Sequence, residues 1–160
     1  MNFKIKQLVR GAIIAAIYAT LCLVMPQPLT FGPIQLRIAE TLTLLPFLFP
    51  EAVWGVTLGC LISNIFGSGF VIDIVFGTLA TFLAAIATRK TKSIWLAPLP
   101  PILFNAVIVG VVVALNTYKD ISFAVILTTC LSIGISQGIV CYIIGIPFMA
   151  LMNKLNFLFK

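Results

Sequence analysis

The chain has 160 residues, of which 61% are hydrophobic and 9% charged, and its formal net charge is +6. Soluble domains carry about 25% charged residues, so a water-soluble enzyme of this length is excluded, and so is disorder, which needs low hydrophobicity. A helical bilayer crossing takes about 20 apolar residues, which leaves room for six spans in a small polytopic membrane protein.

The first apolar run follows the basic start MNFKIKQLVR and continues from Leu8 to Met25, ending at Pro26 and Pro28. It exceeds the usual signal-peptide core and is read as a retained first membrane helix. Gln27–Leu36 is a Pro/Gly-interrupted loop. A second helix is predicted over Arg37–Phe49, stopped by Pro50, and a third from Glu51 to Phe66, ended by Gly67-Ser68-Gly69. The fourth is predicted over Val71–Thr88, before the basic cluster Arg89-Lys90-Thr91-Lys92. The fifth is interrupted near its start by Pro98, Pro100 and Pro101 and ends near Asn116. The sixth covers Ile121–Met152, with Pro147 as a kink or exit. The expected fold is therefore all-α and integral to the membrane, a single six-helix domain over residues 1–160.

Six spans put both termini on one side. That side holds Lys4, Lys6, Arg10, Arg89, Lys90, Lys92, Lys154 and Lys160, against Lys119 and Arg37 opposite. The positive-inside rule makes the termini cytoplasmic. Topology thus accounts for the basic charge, and nucleic acid is not an expected partner.

The chain has no histidine. That excludes Ser-His-Asp and Cys-His catalysis, the H-E-x-x-H motif and any His-ligated metal. No G-x-x-x-x-G-K-[ST] loop is present, so any use of ATP falls to a partner. Gly134-Ile-Ser136-Gln-Gly138 has the G-x-S-x-G spacing of a nucleophile elbow, but it lies in an apolar helix without a base. Cys22, Cys60, Cys130 and Cys141 sit singly in apolar runs and are expected to pack as small hydrophobes. No enzyme activity, cofactor or metal is expected.

The few polar residues carry the functional signal. Gln27, Gln35, Arg37 and Glu40 fall in the first outer loop or the first turn of the second helix. Ser63 and Asn64 end the third helix, Asp73 starts the fourth and Asn116 closes the fifth; Asn105 and Gln137 lie deeper. Ionisable groups in a span are costly and face the bundle or a cavity, so a cluster at one depth points to a pocket opening outward. Asp73, Gly77, Thr81, Ala84 and Thr88 form one small-residue stripe, which turns Asp73 inward. Asn105 and Asn116, about three turns apart, share a face. Plainer readings stand beside these: an Arg37–Glu40 couple at i,i+3, Asp73 as a helix cap, Asn105 and Gln137 as interhelical hydrogen-bond glue. Glu51 fits a cap or first-turn role after Pro50, and Asp120 an exposed loop. Gly11, Ala15 and Ala19 recur every four residues on the first helix, as do Ala12 and Ala16. Gly55/Gly59 and Gly134/Gly138 repeat the pattern, where internal packing is the default.

The stretches RIAETLTLLPFLFPEAVWGVTLGCLISNIFG, DIVFGTLATFLAAIATRK and LAPLPPILFNAVIVG resemble the queuosine-precursor transporters, over roughly Ala12 to Met152. These are substrate-binding S components of energy-coupling factor (ECF) importers. The resemblance implies six helices with both termini inside, a multi-pass location in the cell membrane and an outward ligand pocket. It also implies docking on a transmembrane T component driven by two cytoplasmic ATPases, with Gly11, Ala15 and Ala19 at the docking face. The implied substrate is a 7-deazaguanine: the 7-cyano or 7-aminomethyl precursor, or queuine. The candidate binding residues are Arg37, Glu40, Asn64, Asp73, Asn105, Asn116 and Gln137. A carboxylate, Glu40 or Asp73, would accept the adjacent N–H pair of a guanine-like edge, and the amides would serve its carbonyl and ring nitrogens. Phe31, Phe66, Phe70 and Tyr118 are the aromatic candidates to cover the ring; Trp54 and Trp95 are expected to anchor at the opposite interface. The alternatives are an S component for another vitamin, such as thiamine or riboflavin, and a structural membrane subunit that binds no ligand.

Overall fold

The structure, a computed structural model, describes residues 3–32, 34–118 and 122–158. Lys119, Asp120, Ile121 and Lys160, which entered the loop, charge and helix-start expectations, lie outside the described residues. Within them every regular element is helical. Helix α1 (Phe3–Val24) is followed by a short α2 (Gln27–Phe31), opened by Pro28 near its N-terminus. A 3-10 helix, Ile38–Phe47, comes next, then α3 (Ala52–Gly67). A π-helical segment, Asp73–Gly77, runs into α4 (Thr78–Arg89). Helix α5 (Leu99–Phe104) passes through a second π segment, Asn105–Val109, into α6 (Gly110–Thr117). Helix α7 (Phe123–Ile139) passes through a third, Val140–Gly145, into α8 (Ile146–Leu158).

Three stretches are long and apolar enough to cross a bilayer: Lys4–Val24, Leu99–Thr117 and Phe123–Leu155. Their outer faces expose bulky apolar side chains such as Leu8, Leu103, Phe123 and Ile143. Water would not tolerate such a belt, whereas lipid does. Ile38–Phe47 and Ala52–Gly67 are shorter apolar helices.

The second helix departs from the sequence reading. It is a 3-10 helix of 10 residues with Pro46 inside it, not an α-helix over Arg37–Phe49. In an α-helix the Pro46 ring would press on the carbonyl four residues back, and the missing N–H would break the bond ladder. The narrower winding accommodates the proline, and Thr43 Oγ donates to the Glu40 carbonyl at 2.6 Å. Residues Ala39 through Pro46 are all buried, because this rod is central: α1, α3, α4, α5, α8 and the third π segment all touch it.

The most extensive helix pair is α1 on α3, and glycine sets its closeness. A Cβ on Gly55 would lie 2.8 Å from the Gly11 carbonyl oxygen, and one on Gly59 2.7 Å from Tyr18 Cβ. The Trp54 ring covers Gly11 so closely that no side chain fits there. Small residues at this spacing let backbones approach and supply dispersion where lipid gives no hydrophobic drive. The stripe Gly77, Thr81, Ala84 and Thr88 is likewise buried. In the last rod, Pro147 lies two residues past the end of the third π segment, whose wider turn accommodates the backbone bond that proline cannot make.

Candidate functional site

The polar residues gather in two layers at the end of the bundle where the α1–α2 connection, the α3–α4 turn and the end of α6 meet. In the inner layer Glu40 is 1% exposed. Its Oε1 accepts the Tyr18 hydroxyl at 2.7 Å, and its Oε2 accepts Gln137 Nε2 at 3.0 Å and Asn105 Nδ2 at 3.3 Å. Arg37 Nη1 stands 3.9 Å from Oε1. Three donors and a cation thus surround one carboxylate in a low-dielectric interior, where an unpaired one would be costly. This layer is a closed network around Glu40.

Arg37 links the layers. Its Nε donates to the Thr30 carbonyl at 2.7 Å and its Nη2 to Asn64 Oδ1 at 3.3 Å, while Phe31 stacks 4.7 Å from its guanidinium carbon. Asn64 in turn donates from Nδ2 to the Asp73 carbonyl at 3.1 Å. The chain leading into Arg37 is bent at Gln35, whose φ of 46° is unusual for a non-glycine residue.

The outer layer is open. A cavity of 280 Å³ is lined by Gln27, Phe31, Ser68, Phe70, Asp73 and Asn116, together with backbone around Gly32 and Gly67. Among the described residues Asp73 is its sole charged lining residue, and Asp73 Oδ1 accepts Asn116 Nδ2 at 3.3 Å. Two glycines shape the rim. A Cβ on Gly67 would strike the Phe31 ring, and Gly69 turns the chain with a φ of 69°.

All seven candidate residues therefore converge, but they do not stand together on one surface. Asp73 and Asn116 line the cavity, whereas Glu40, Asn105 and Gln137 form the closed layer, with Arg37 and Asn64 between. Asp73 does not cap its helix: the helical path starts before it, and no side-chain cap bond is made. Of the aromatic candidates, Phe31 and Phe70 line the cavity; Tyr118 borders a separate recess, and Phe66 points outward. Glu51 makes no cap bond either and pairs with Arg10 at 3.4 Å. Ser136 Oγ, with one proton to donate, lies within reach of the carbonyls of Ser132, Ile133 and Ile34, and so sits where the loop after α2 meets α7.

Gly11, Ala15 and Ala19, expected at a docking face, are buried within this chain, and Gly55 and Gly59 of α3 meet Gly11 and Ala15. The exposed small residues of α1 are Ala12, Ala16 and Thr20, one position further round the helix.

Tyr18 was not singled out from the sequence. A tyrosine in the middle of an apolar helix, on the same face as Gly11 and Ala15, signals a buried partner for its hydroxyl. The π segments were also missed, and they bear on the site. Asp73 opens the first, Asn105 opens the second, and Gln137 lies one turn before the third. Such widened turns recur at functional positions because they re-aim side chains within a continuous helix.

A bundle of apolar helices with an enclosed polar network beside a polar cavity is that of a multi-pass membrane protein. Residues 8–154 match the family model described as QueT transporter, and the chain belongs to that family. The queuosine precursor transporter QueT of Lactococcus lactis subsp. cremoris (strain MG1363) is 35% identical over 81 residues. That match takes in 50% of this chain and 47% of the relative, so the chain spans about half the length of the relative it matches. No solved structure matches the chain.

Proposed function

We propose that this chain is the substrate-binding S component of an ECF importer that carries a 7-deazaguanine precursor of queuosine. It is a single domain of six membrane-crossing helices, with both termini cytoplasmic and the Asp73 cavity facing outward. The distribution of Lys and Arg supports that orientation, and it is cleaner than the sequence count implies: Arg37 is buried in the site and drops out of the outer tally.

The observation that carries the reading is the convergence of two carboxylates, four amides and one guanidinium beside a cavity lined by two phenyl rings. Flat ligands rich in N–H donors and ring acceptors are recognised by such sets, because each unmatched polar group buried on binding costs about 1–3 kcal/mol. The ligand enters at the outer layer, between Phe31 and Phe70, with Asp73 and Asn116 as its first polar partners. Glu40, Asn105 and Gln137 form the closed layer behind Arg37 and Asn64 and hold the inner side of the site in register.

The chain itself performs no catalysis in this reading. Inward passage depends on a transmembrane T component and two cytoplasmic ATPases. The surface assigned to the T component is the exposed face Ala12, Ala16 and Thr20, since small residues there let a partner helix approach closely.

The test is calorimetric titration of the purified, folded chain in detergent with 7-aminomethyl- and 7-cyano-7-deazaguanine, queuine, guanine, riboflavin and thiamine. Binding of a deazaguanine that is lost in Asn116→Leu supports the reading and locates the cavity. Binding of riboflavin or thiamine alone keeps the S-component role and overturns the substrate. Binding of none overturns the transport reading in favour of a structural subunit.

A further inference from the structure

Three ionisable side chains make up the charge of the site: Arg37, Glu40 and Asp73. Arg37 and Glu40 offset each other inside the closed layer, at 3.9 Å. Arg37 has no reach to spare, since Nε and Nη2 are taken by the Thr30 carbonyl and Asn64 Oδ1, and Phe31 covers its face. Asp73 is left as one negative charge, 9% exposed, on the wall of the cavity. Among the described residues no cation lies within 4.0 Å of it: Asn116 donates its amide, the Ser68 hydroxyl lies beside it, and the Arg37 guanidinium acts on it only from the inner layer. The Asp73 carboxylate and the Asn116 carbonyl oxygen are then acceptors on two residues that line the cavity, and among the described lining residues no other is charged.

Any ligand that fills this cavity removes water from Asp73. A neutral ligand would leave a desolvated carboxylate without a counter-charge, which is costly. A ligand that brings an ammonium group returns the site to neutrality and supplies the N–H donors that the two acceptors lack. On this ground we propose that Asp73 makes the cavity selective for cationic ligands, so that a 7-deazaguanine with a protonated aminomethyl arm is bound in preference to its uncharged 7-cyano counterpart. This rests on the deazaguanine reading above and adds to it the residue that discriminates between precursors. The competing use of Asp73 is to accept the N–H pair of the guanine edge, which both precursors share. The two uses give different results.

The experiment titrates the aminomethyl and cyano ligands into the folded full chain in detergent, and into Asp73→Asn, Asp73→Glu and Lys119→Gln. The wild type is expected to bind the aminomethyl form more tightly. Asp73→Asn is expected to weaken that form on the order of a hundredfold and the cyano form by less than about threefold, the usual asymmetry when one partner of an enclosed charge pair is lost. Asp73→Glu and Lys119→Gln are expected to keep the preference. Equal affinities in the wild type overturn the proposal, as does an equal loss of both ligands in Asp73→Asn, and both leave the deazaguanine reading intact. A preference seen in Lys119→Gln alone also overturns it. If neither ligand binds the folded wild type, the substrate reading itself falls, and the proposal with it. Should Asp73→Asn fail to fold, the wild-type ratio and Asp73→Glu still decide.

Discussion

The two acids of the site sit one layer apart and live in opposite circumstances. Glu40 is enclosed, with Tyr18, Asn105, Gln137 and Arg37 around its two oxygens. Asp73 borders a cavity and receives one amide. The first arrangement is a structural commitment: four elements of the bundle, with Arg37 just before one of them, donate to, or carry, a single buried carboxylate. The second leaves valence unused, which is what a binding group needs. The contrast teaches that convergence of polar residues in a membrane protein is not one signal. Saturated groups hold helices in register, and unsaturated ones beside space await a ligand.

The largest expected effect separates the two acids by stability. In Glu40→Ala the three donors and the guanidinium lose their acceptor at once, in a place water does not reach. Breaking a buried pair by removing one partner costs about 3–5 kcal/mol, so Glu40→Ala should unfold far earlier than wild type in a detergent denaturation series. Asp73→Ala removes a group with one weak partner beside open space and should shift the same midpoint by less than about 1 kcal/mol. Similar midpoints for the two variants would erase the distinction drawn here.

A second, intermediate effect tests what holds the inner layer in place. Tyr18 reaches Glu40 from α1, and α1 is positioned by the glycine contacts with α3. In Gly59→Ala the new methyl group meets Tyr18 Cβ at 2.7 Å and the Ala15 carbonyl at 2.8 Å. Backbone cannot yield as a flexible side-chain tip does, so the helices must separate, at about 1–3 kcal/mol for overpacking. The Tyr18–Glu40 bond should lengthen with them. In Tyr18→Phe the hydroxyl is already absent, so adding Gly59→Ala should cost less there than in wild type. A double-mutant cycle reads that difference as coupling; strict additivity would show that the α1–α3 contact and the Glu40 network are independent.

How much of this was legible beforehand follows the same division. The helices in the sequence reading rest on uninterrupted apolar runs and Pro/Gly breaks, and those signals are local. The candidate residues were legible because a polar side chain in a span is expensive wherever it points. Their partners were not. Glu40 and Gln137 are 97 residues apart and Glu40 and Asn105 are 65 apart, and no spacing rule connects them. The 3-10 winding of Ile38–Phe47 was hidden because apolar periodicity looks alike in a short α- or 3-10 helix; Pro46 was the one local clue. Which face of α1 is buried within the chain was hidden for a related reason. Gly11/Ala15/Ala19 and Ala12/Ala16/Thr20 are adjacent stripes of similar composition, and which of them is buried depends on α3. Gly55 and Gly59 chose the first by meeting it.

The smallest expected effect probes the boundary between the layers, where Phe31 belongs to both. Its ring lines the cavity on one side and stacks on Arg37 on the other, and it occupies the space left by Gly67. Phe31→Ala removes a cation–π contact worth about 0.5–1 kcal/mol where exposed and about 2 where desolvated. It also opens a path from the cavity to the guanidinium. Stability should fall only slightly, because Arg37 keeps its bonds to Thr30 and Asn64. Binding should change in kind as well as in strength: with Arg37 no longer screened from the cavity, its positive charge partly offsets Asp73, and the preference for a cationic ligand should narrow. Phe31→Leu restores bulk without the ring face and should recover part of the preference, because it again separates the guanidinium from the ligand. If Phe31→Ala weakens cationic and neutral ligands by one common factor, the ring serves only as a stacking surface, and the two layers do not communicate through it.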